Sequence, residues 1–104
     1  MLTRKAALIQ ANQFLADLKV FGIQPTKAIL FGSTAKGTQH EWSDIDLAVW
    51  APGFSGVLGV DYEQILPVLR PYKVLELHTF SPEETAETNP FVEHIVKTGI
   101  ELAI

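Results

Sequence analysis

The residue types that first suggest chemistry are two aspartates, Asp44 and Asp46, separated by one apolar residue. In a β-strand, residues two apart lie on the same face, so both carboxylates would point the same way. Two carboxylates this close repel each other unless a cation lies between them, and Mg²⁺ prefers such oxygen ligands. The alternative is a capping turn at Ser43 and Asp44, but it leaves Asp46 as an unpaired acid in an apolar strand, which is costly. The pair therefore indicates a metal site.

A second chemical feature precedes the aspartates, where a short apolar run ends in Gly32 and Ser33. Glycine lets a ligand approach the backbone closely, and Ser33 offers a hydroxyl beside free backbone N–H groups. Lys36 adds a positive charge one turn later, so the segment is suited to bind phosphate. It is not a Walker A loop, because Thr38 stands where that motif has lysine. Taken alone, the segment more often marks an ordinary strand-to-helix turn with Ser33 as N-cap.

The pattern of apolar residues predicts the elements that position these side chains. Helices are predicted over residues 4–21, 61–70 and 90–99, and strands over residues 28–31, 45–50 and 73–80. Asp61 and Gln64 resemble a capping pair for the second helix, which Pro67 must kink or split. Before that helix, the glycines and proline of residues 52–59 predict a mobile loop. The order indicates one α/β or α+β domain, residues 1–104, with a small mixed sheet and helices packed on it.

Alternation within the third predicted strand places Glu76 and His78 on one face, opposite Leu75 and Leu77. From this pattern alone, Glu76 is as much a polar residue facing solvent as a member of a site. For His78 the favoured interpretation is an exposed strand histidine. No two histidines of the chain have the spacing of a metal-binding pair.

The charge distribution argues against nucleic acid as the main partner. The 104 residues carry eight Lys and Arg against twelve Asp and Glu, a formal net charge of −4. The imbalance lies in residues 61–104, with three basic and eight acidic side chains, whereas nucleic-acid binding depends on basic contacts to phosphate. Cysteine is absent, and neither a signal peptide nor a run of 18 apolar residues is evident. These features predict a cytoplasmic protein without a membrane partner.

The two chemical features together form the pattern Gly-Ser-x10-Asp-x-Asp, in which ten residues separate Ser33 from Asp44. This pattern resembles the signature of the DNA polymerase beta-like nucleotidyltransferase superfamily. More narrowly, the chain resembles the minimal nucleotidyltransferases, which are small stand-alone versions of that fold. The resemblance extends over nearly the whole chain, from the N-terminal helix to a closing segment at residues 95–100. It implies the nucleotidyltransferase fold.

The resemblance also implies a role for individual residues. Gly32, Ser33, Lys36 and Ser43 would hold a nucleoside triphosphate. The ligands of two Mg²⁺ ions would be Asp44, Asp46 and the third carboxylate, Glu76, and these three would be the catalytic residues. The chain departs from the family pattern twice, with Lys36 where arginine is frequent and Glu76 where aspartate is commoner. Lysine gives a point charge without a bidentate fork, so the triphosphate would be fixed less strictly.

The activity implied by the resemblance is transfer of a nucleoside monophosphate, AMP from ATP, to an acceptor hydroxyl. Minimal nucleotidyltransferases are often antitoxins that modify a tyrosine of a small helical toxin, which makes such a toxin the expected partner. Two alternatives remain at this stage. In the first, the chain would be a non-catalytic antitoxin or binding module with a degenerate nucleotide site. In the second, it would modify a small-molecule hydroxyl. Enzymes of the last kind usually carry an additional substrate-binding domain.

Overall fold

A computed structural model describes residues 3–32 and 44–104 of the chain. Its elements in chain order are α1 (Arg4–Phe21), β1 (Lys27–Phe31), β2 (Ile45–Trp50), α2 (Leu58–Leu69), β3 (Leu75–Phe80), α3 (Pro90–Thr98) and β4 (Ile100–Leu102). All six helices and strands expected from the sequence are present, and β4 is added to them. Across the described residues, no helix combines the length and apolar character that a membrane span requires.

The strands form one mixed sheet in the order β3-β2-β1-β4. Strands β2 and β3 run parallel, while β1 is antiparallel to both β2 and β4. Parallel neighbours need a crossover connection, and α2 provides it between β2 and β3. A small mixed sheet with helices packed on it is the α+β architecture expected from the sequence, and this prediction is confirmed.

The sequence analysis missed β4, which pairs with β1 at the edge of the sheet. Ala28 lies opposite Leu102, and Leu30 lies opposite Ile100. Three residues are too few to show period-two alternation, so this segment has no strand signal of its own. Gly99 precedes it, and a β-carbon there would lie 2.8 Å from the Leu30 carbonyl oxygen. The absence of a side chain thus lets α3 continue directly into β4.

Each face of the sheet is covered by an apolar cluster. The larger cluster packs α1 and α2 against one face, where Leu47 and Leu77 are fully buried. The smaller cluster packs Val92 and Ile95 of α3 against the other face. Because side chains alternate along β2, Asp46 lies on the second face, together with the α3 cluster.

The ends of α1 and α3 follow the sequence prediction. Thr3 caps α1, and its Oγ1 accepts a hydrogen bond of 3.0 Å from the backbone N–H of Ala6. Gly22 ends α1 in the left-handed region, with φ 105°. At the start of α3, Asn89 Oδ1 accepts a hydrogen bond of 2.9 Å from the backbone N–H of Phe91. These caps satisfy N–H donors that have no partner within the helix.

The start of α2 differs from the prediction. The helix begins at Leu58, and Asp61, predicted with Gln64 to cap it, lies inside the first turn. The Asp61 side chain is buried and accepts hydrogen bonds from the backbone N–H groups of Ser55 at 2.9 Å and Gly56 at 3.1 Å. Asp61 therefore binds the preceding loop, which the sequence predicts to be mobile, and not the helix terminus.

Proline inside α2 has a smaller effect than expected. Pro67 lies within the helix, which continues to Leu69. Proline lacks an N–H and removes one hydrogen bond of the helical ladder. Because Pro67 is two residues from the end, the loss falls in the last turn, and the helix is not split.

Candidate active site

The parallel pairing of β2 and β3 brings two acidic residues together. Asp46 lies directly opposite Glu76 in the register of the two strands, so both side chains project from the same face of the sheet. His78 follows two residues after Glu76 and shares that face. One ligand atom from each of these three residues lies within 4.8 Å of the other two. The group has the composition of a metal site, with two carboxylates and one imidazole.

The backbone at the end of β1 lies against one of these carboxylates. Phe31 is the register partner of Asp46, and Gly32 follows it with φ 77°. A β-carbon at position 32 would lie 3.2 Å from Asp46 Cγ and closer still to Oδ2. Gly32, predicted from the sequence as a nucleotide-binding residue, is therefore adjacent to Asp46. Its missing side chain leaves room for the carboxylate.

Aromatic rings form one wall of the site. The His78 imidazole lies edge-to-face with Phe31 at a centroid distance of 5.0 Å and with Phe91 of α3 at 5.7 Å. Phe31 and Phe91 also contact each other at 5.8 Å. These contacts hold the imidazole in place beside Asp46.

His78 is the site residue that the sequence analysis undervalued. The sequence pattern predicts an exposed histidine, but the His78 side chain is only 23% accessible. Its Nε2 lies 3.5 Å from Asp46 Oδ1. Nε2 is buried and has no hydrogen-bond partner among the described residues. The available signal was its spacing of two from Glu76. Alternation places both residues on one face but does not reveal that Phe31 and Phe91 cover it.

The remaining predicted site residues lie at the edge of the described structure or beyond it. Asp44 is exposed, directly precedes β2 and is not a member of the group formed by Asp46, Glu76 and His78. Ser33, Lys36 and Ser43, predicted to bind the nucleotide, fall within residues 33–43, outside the described residues. The roles of these four residues stay predictions, as do those of Gly32, Asp46 and Glu76.

The donor set fits a divalent cation. Asp46 and Glu76 place two carboxylates within 4.8 Å of each other, and like charges at that separation repel each other. A cation between them removes this repulsion, and the half-buried position of Asp46 strengthens the attraction. His78 adds a donor atom that has no other partner. These side chains therefore form a candidate site for a divalent cation.

A cavity opens beside the group. It has a volume of about 360 Å³ and is bounded by His78, by Asn89 and Phe91 at the start of α3, and by Gly56 and Leu58 near the start of α2. Another cavity, of about 460 Å³, lies at the opposite end of β2 and contains none of the acidic group. Of the three candidate metal ligands, His78 alone lines the smaller cavity, within the part of the chain that the structure describes.

Another carboxylate, Asp61, is buried on the opposite face of the sheet and has a structural role. Besides the loop N–H groups, its Oδ2 accepts a hydrogen bond of 2.6 Å from Thr79 Oγ1 on β3. Burial raises the pKa of Asp61, but the hydrogen bonds from Ser55, Thr79 and Gly56 outweigh it and hold the pKa below its usual value. Asp61 is therefore a charged anchor that ties the loop to β3.

Comparisons with known proteins bear on this arrangement. A family model for the nucleotidyltransferase domain matches residues 9–101. Among solved structures, a toxin–antitoxin with AMP-PNP superimposes with a TM-score of 0.60 and 22% identity, over 86% of this chain and 69% of that chain. The toxin–antitoxin MntA-HpeT, in a double aspartate-to-glutamate mutant, gives 0.58 and 20% over the same shares. At such identities the likeness concerns the fold. The search of curated proteins finds no match.

Proposed function

Because the chain belongs to the nucleotidyltransferase domain family, we propose that it transfers a nucleoside monophosphate from a nucleoside triphosphate to an acceptor hydroxyl. The observation that carries this proposal is the alignment of Asp46 with Glu76 on adjacent strands, beside the backbone of Gly32. Paired carboxylates next to an accessible main chain suit a metal-dependent reaction of phosphate groups.

The proposed cofactor is Mg²⁺, as two ions held by Asp44, Asp46 and Glu76 through carboxylate oxygens. When bound, such ions neutralise the negative charge that develops on the attacking and leaving oxygens. The close placement of Asp46 and Glu76 supports this assignment. For Asp44 the support is its spacing of two from Asp46, which favours the same face of the strand.

The triphosphate is proposed to lie against residues 32–36 and Ser43. Gly32 supports this placement because its backbone lies directly against the Asp46 carboxylate, one of the proposed metal ligands. Ser33 and Ser43 would donate hydroxyl hydrogen bonds to phosphate oxygens, and Lys36 would supply a positive charge. Together they would fix the α-phosphate near the carboxylates.

Glu76 is proposed to take the proton of the acceptor hydroxyl. The acceptor oxygen forms a bond to the α-phosphorus, while the bond from that phosphorus to the oxygen bridging to the β-phosphate breaks. Pyrophosphate leaves with the electron pair, and the acceptor proton passes to a Glu76 carboxylate oxygen. Glu76 is exposed, so it can be reached by an acceptor on another molecule and can return the proton to water.

We further propose ATP as the nucleotide and a hydroxyl of a partner toxin as the acceptor, which gives the chain an antitoxin role. Support comes from the fold neighbours, one a toxin–antitoxin with AMP-PNP and the other a toxin–antitoxin altered at two aspartates. The aspartates changed in the second neighbour are two positions apart, which is the spacing of Asp44 and Asp46. The acidic residues 61–104 would suit a basic partner surface.

Label transfer tests the proposed function. The chain is incubated with Mg²⁺ and each α-³²P-labelled nucleoside triphosphate in turn, with a helical toxin or a panel of small-molecule alcohols as acceptor. Transfer of label with release of pyrophosphate, abolished by Asp46→Asn and retained in Glu63→Gln, supports it. Glu63 is an exposed acid on α2 and serves as the matched control. Neutralisation of a toxin by both variants, without label transfer, would instead favour the non-catalytic binding module.

A further inference from the structure

We propose that His78 is a nitrogen ligand of this metal site, and that the site therefore prefers a first-row transition ion such as Mn²⁺ over Mg²⁺. The inference rests on the proposed function and adds a residue that the carboxylate pattern does not contain. It starts from the position of one atom, His78 Nε2.

The position of Nε2 suits coordination to an ion shared with the carboxylates. It lies 3.5 Å from Asp46 Oδ1, and ligand atoms of Asp46, Glu76 and His78 all lie within 4.8 Å of one another. Donor atoms that share one ion at about 2.1 Å stand roughly 3–4 Å apart. Small side-chain shifts therefore bring all three onto a single ion.

Nε2 also lacks any other role among the described residues. It is buried and accepts or donates no hydrogen bond there, although buried polar atoms almost always have a partner. The imidazole cannot turn freely to find one, because Phe31 and Phe91 pack against it at 5.0 and 5.7 Å. Nε2 thus makes no hydrogen bond within the described residues and has Asp46 Oδ1 at 3.5 Å, a position from which it can share a cation with that carboxylate.

The nitrogen donor changes which metal the site prefers. Carboxylate oxygens alone suit Mg²⁺, Ca²⁺ and Mn²⁺, whereas imidazole adds affinity for first-row transition ions. Mg²⁺ gains little from a nitrogen ligand because it favours hard oxygen donors and keeps its waters. His78 is thus a specificity-determining residue for the metal.

Pulsed EPR of bound Mn²⁺ tests the proposal without reference to activity. Mn²⁺ is added to the full chain, and the ¹⁴N coupling of a coordinated imidazole is measured in the native protein, His78→Gln and His78→Phe. His94→Gln is the matched control, because His94 is an exposed histidine on α3. We expect the coupling in the native protein and in His94→Gln, and its loss in both His78 variants.

Calorimetric titrations with Mn²⁺ and Mg²⁺ give the second readout. Changes to residues that only support metal ligands weaken affinity about 10–100-fold. Loss of the direct ligand His78 should therefore raise the Kd for Mn²⁺ at least that much and the Kd for Mg²⁺ far less. His78→Phe keeps a ring against Phe31 and Phe91, and its thermal unfolding shows whether the fold is intact.

The outcomes separate this proposal from the proposed function. Mn²⁺ that binds the native protein without ¹⁴N coupling, and is lost in Asp46→Asn, overturns the role of His78 and leaves the carboxylate site standing. Mn²⁺ binding that survives both Asp46→Asn and Glu76→Gln overturns the site itself, and with it the proposed function. Coupling that disappears only in the His78 variants supports the proposal.

Discussion

The carboxylate of Asp46 occupies the space in which a side chain at Gly32 would lie. Gly32 also has a positive φ of 77°, a region that residues with a β-carbon rarely adopt. Glycine is thus required here for two independent reasons, conformation and space. The contact joins the end of β1 to the acidic pair on β2 and β3.

Substitution of two glycines can separate these reasons. Gly53 has φ 96° but no atom within 4 Å of its would-be β-carbon, so Gly53→Ala introduces backbone strain alone. We expect Gly53→Ala to lower the free energy of unfolding, measured in urea, by about 1–2 kcal/mol. Gly32→Ala should lower it by more, because it adds a steric clash with Asp46 to the same strain. Only Gly32→Ala displaces the Asp46 carboxylate and weakens Mn²⁺ binding in a titration. Equal Mn²⁺ affinity in the two variants would show that the contact with Asp46 has no effect on the site.

Glu76→Gln tests the proton-accepting role in the reaction. The amide keeps the size of the side chain but loses the charge and the basic oxygen. We expect kcat for nucleotidyl transfer to fall about 10²–10⁴-fold, the usual contribution of general base catalysis, with a smaller change in KM for the nucleotide. Steady-state kinetics with labelled nucleotide measure both, and Glu63→Gln on α2 should match the native protein. A kcat unchanged by Glu76→Gln contradicts the assignment.

Because the carboxylate of Asp61 is buried and hydrogen-bonded, we expect the free energy of unfolding to decrease at low pH. Its hydrogen bonds hold the folded-state pKa below the unfolded value of about 3.9. The stabilisation is therefore complete above that value and is lost as the pH falls through the folded-state pKa. Asp61→Asn should lower the free energy of unfolding at pH 7 by about 1–3 kcal/mol and reduce the loss between pH 5 and pH 2. Urea denaturation of both proteins across this pH range measures the difference. If the stability of Asp61→Asn falls with pH in parallel with that of the native protein, the Asp61 carboxylate does not contribute to the acid dependence.

Because of Tyr72, we expect the free energy of unfolding to decrease at high pH as well. Burial, together with the hydrogen bond that its hydroxyl donates to Asp17 on α1, raises the pKa of Tyr72 to about 12. The folded state holds this proton more tightly than the unfolded state, so the stabilisation is complete below about pH 10. It is lost as the pH rises towards 12. Urea denaturation should show this loss in the native protein and a smaller one in Tyr72→Phe, whereas identical profiles exclude the contribution of Tyr72.

Much of the candidate site could be predicted because it depends on local rules. Alternation predicts Asp46 on one face of β2 and Glu76 on one face of β3, with the apolar residues between them on the opposite face. The register that sets these two residues opposite each other was not accessible. Parallel strands pair through a crossover, and the sequence within a strand does not specify which residue meets which.

The errors arose where tertiary contacts override a local pattern. Asp61 has the sequence position of a helix cap, but hydrogen bonds from Ser55 and Thr79 hold it as a buried anchor. His78 has the alternation of an exposed residue, but Phe91, thirteen positions later on α3, packs against it. In both cases a residue on another helix or strand determines the environment of the side chain, namely Thr79 for Asp61 and Phe91 for His78. The periodicity within one helix or strand carries no information about such a contact.

The most direct test of the central claim is the thermal unfolding of the native chain and of Asp46→Asn, with and without ATP and Mg²⁺. A ligand at 100 times its Kd adds about 2.7 kcal/mol of stability, and each kcal/mol raises the Tm of a domain of this size by roughly 4–8 °C. The account predicts a Tm rise on that scale in the native chain that requires Mg²⁺ and disappears in Asp46→Asn. An equal rise in both proteins, or none with any nucleoside triphosphate even when the partner is present, would contradict a nucleotide site built on Asp46 and Glu76.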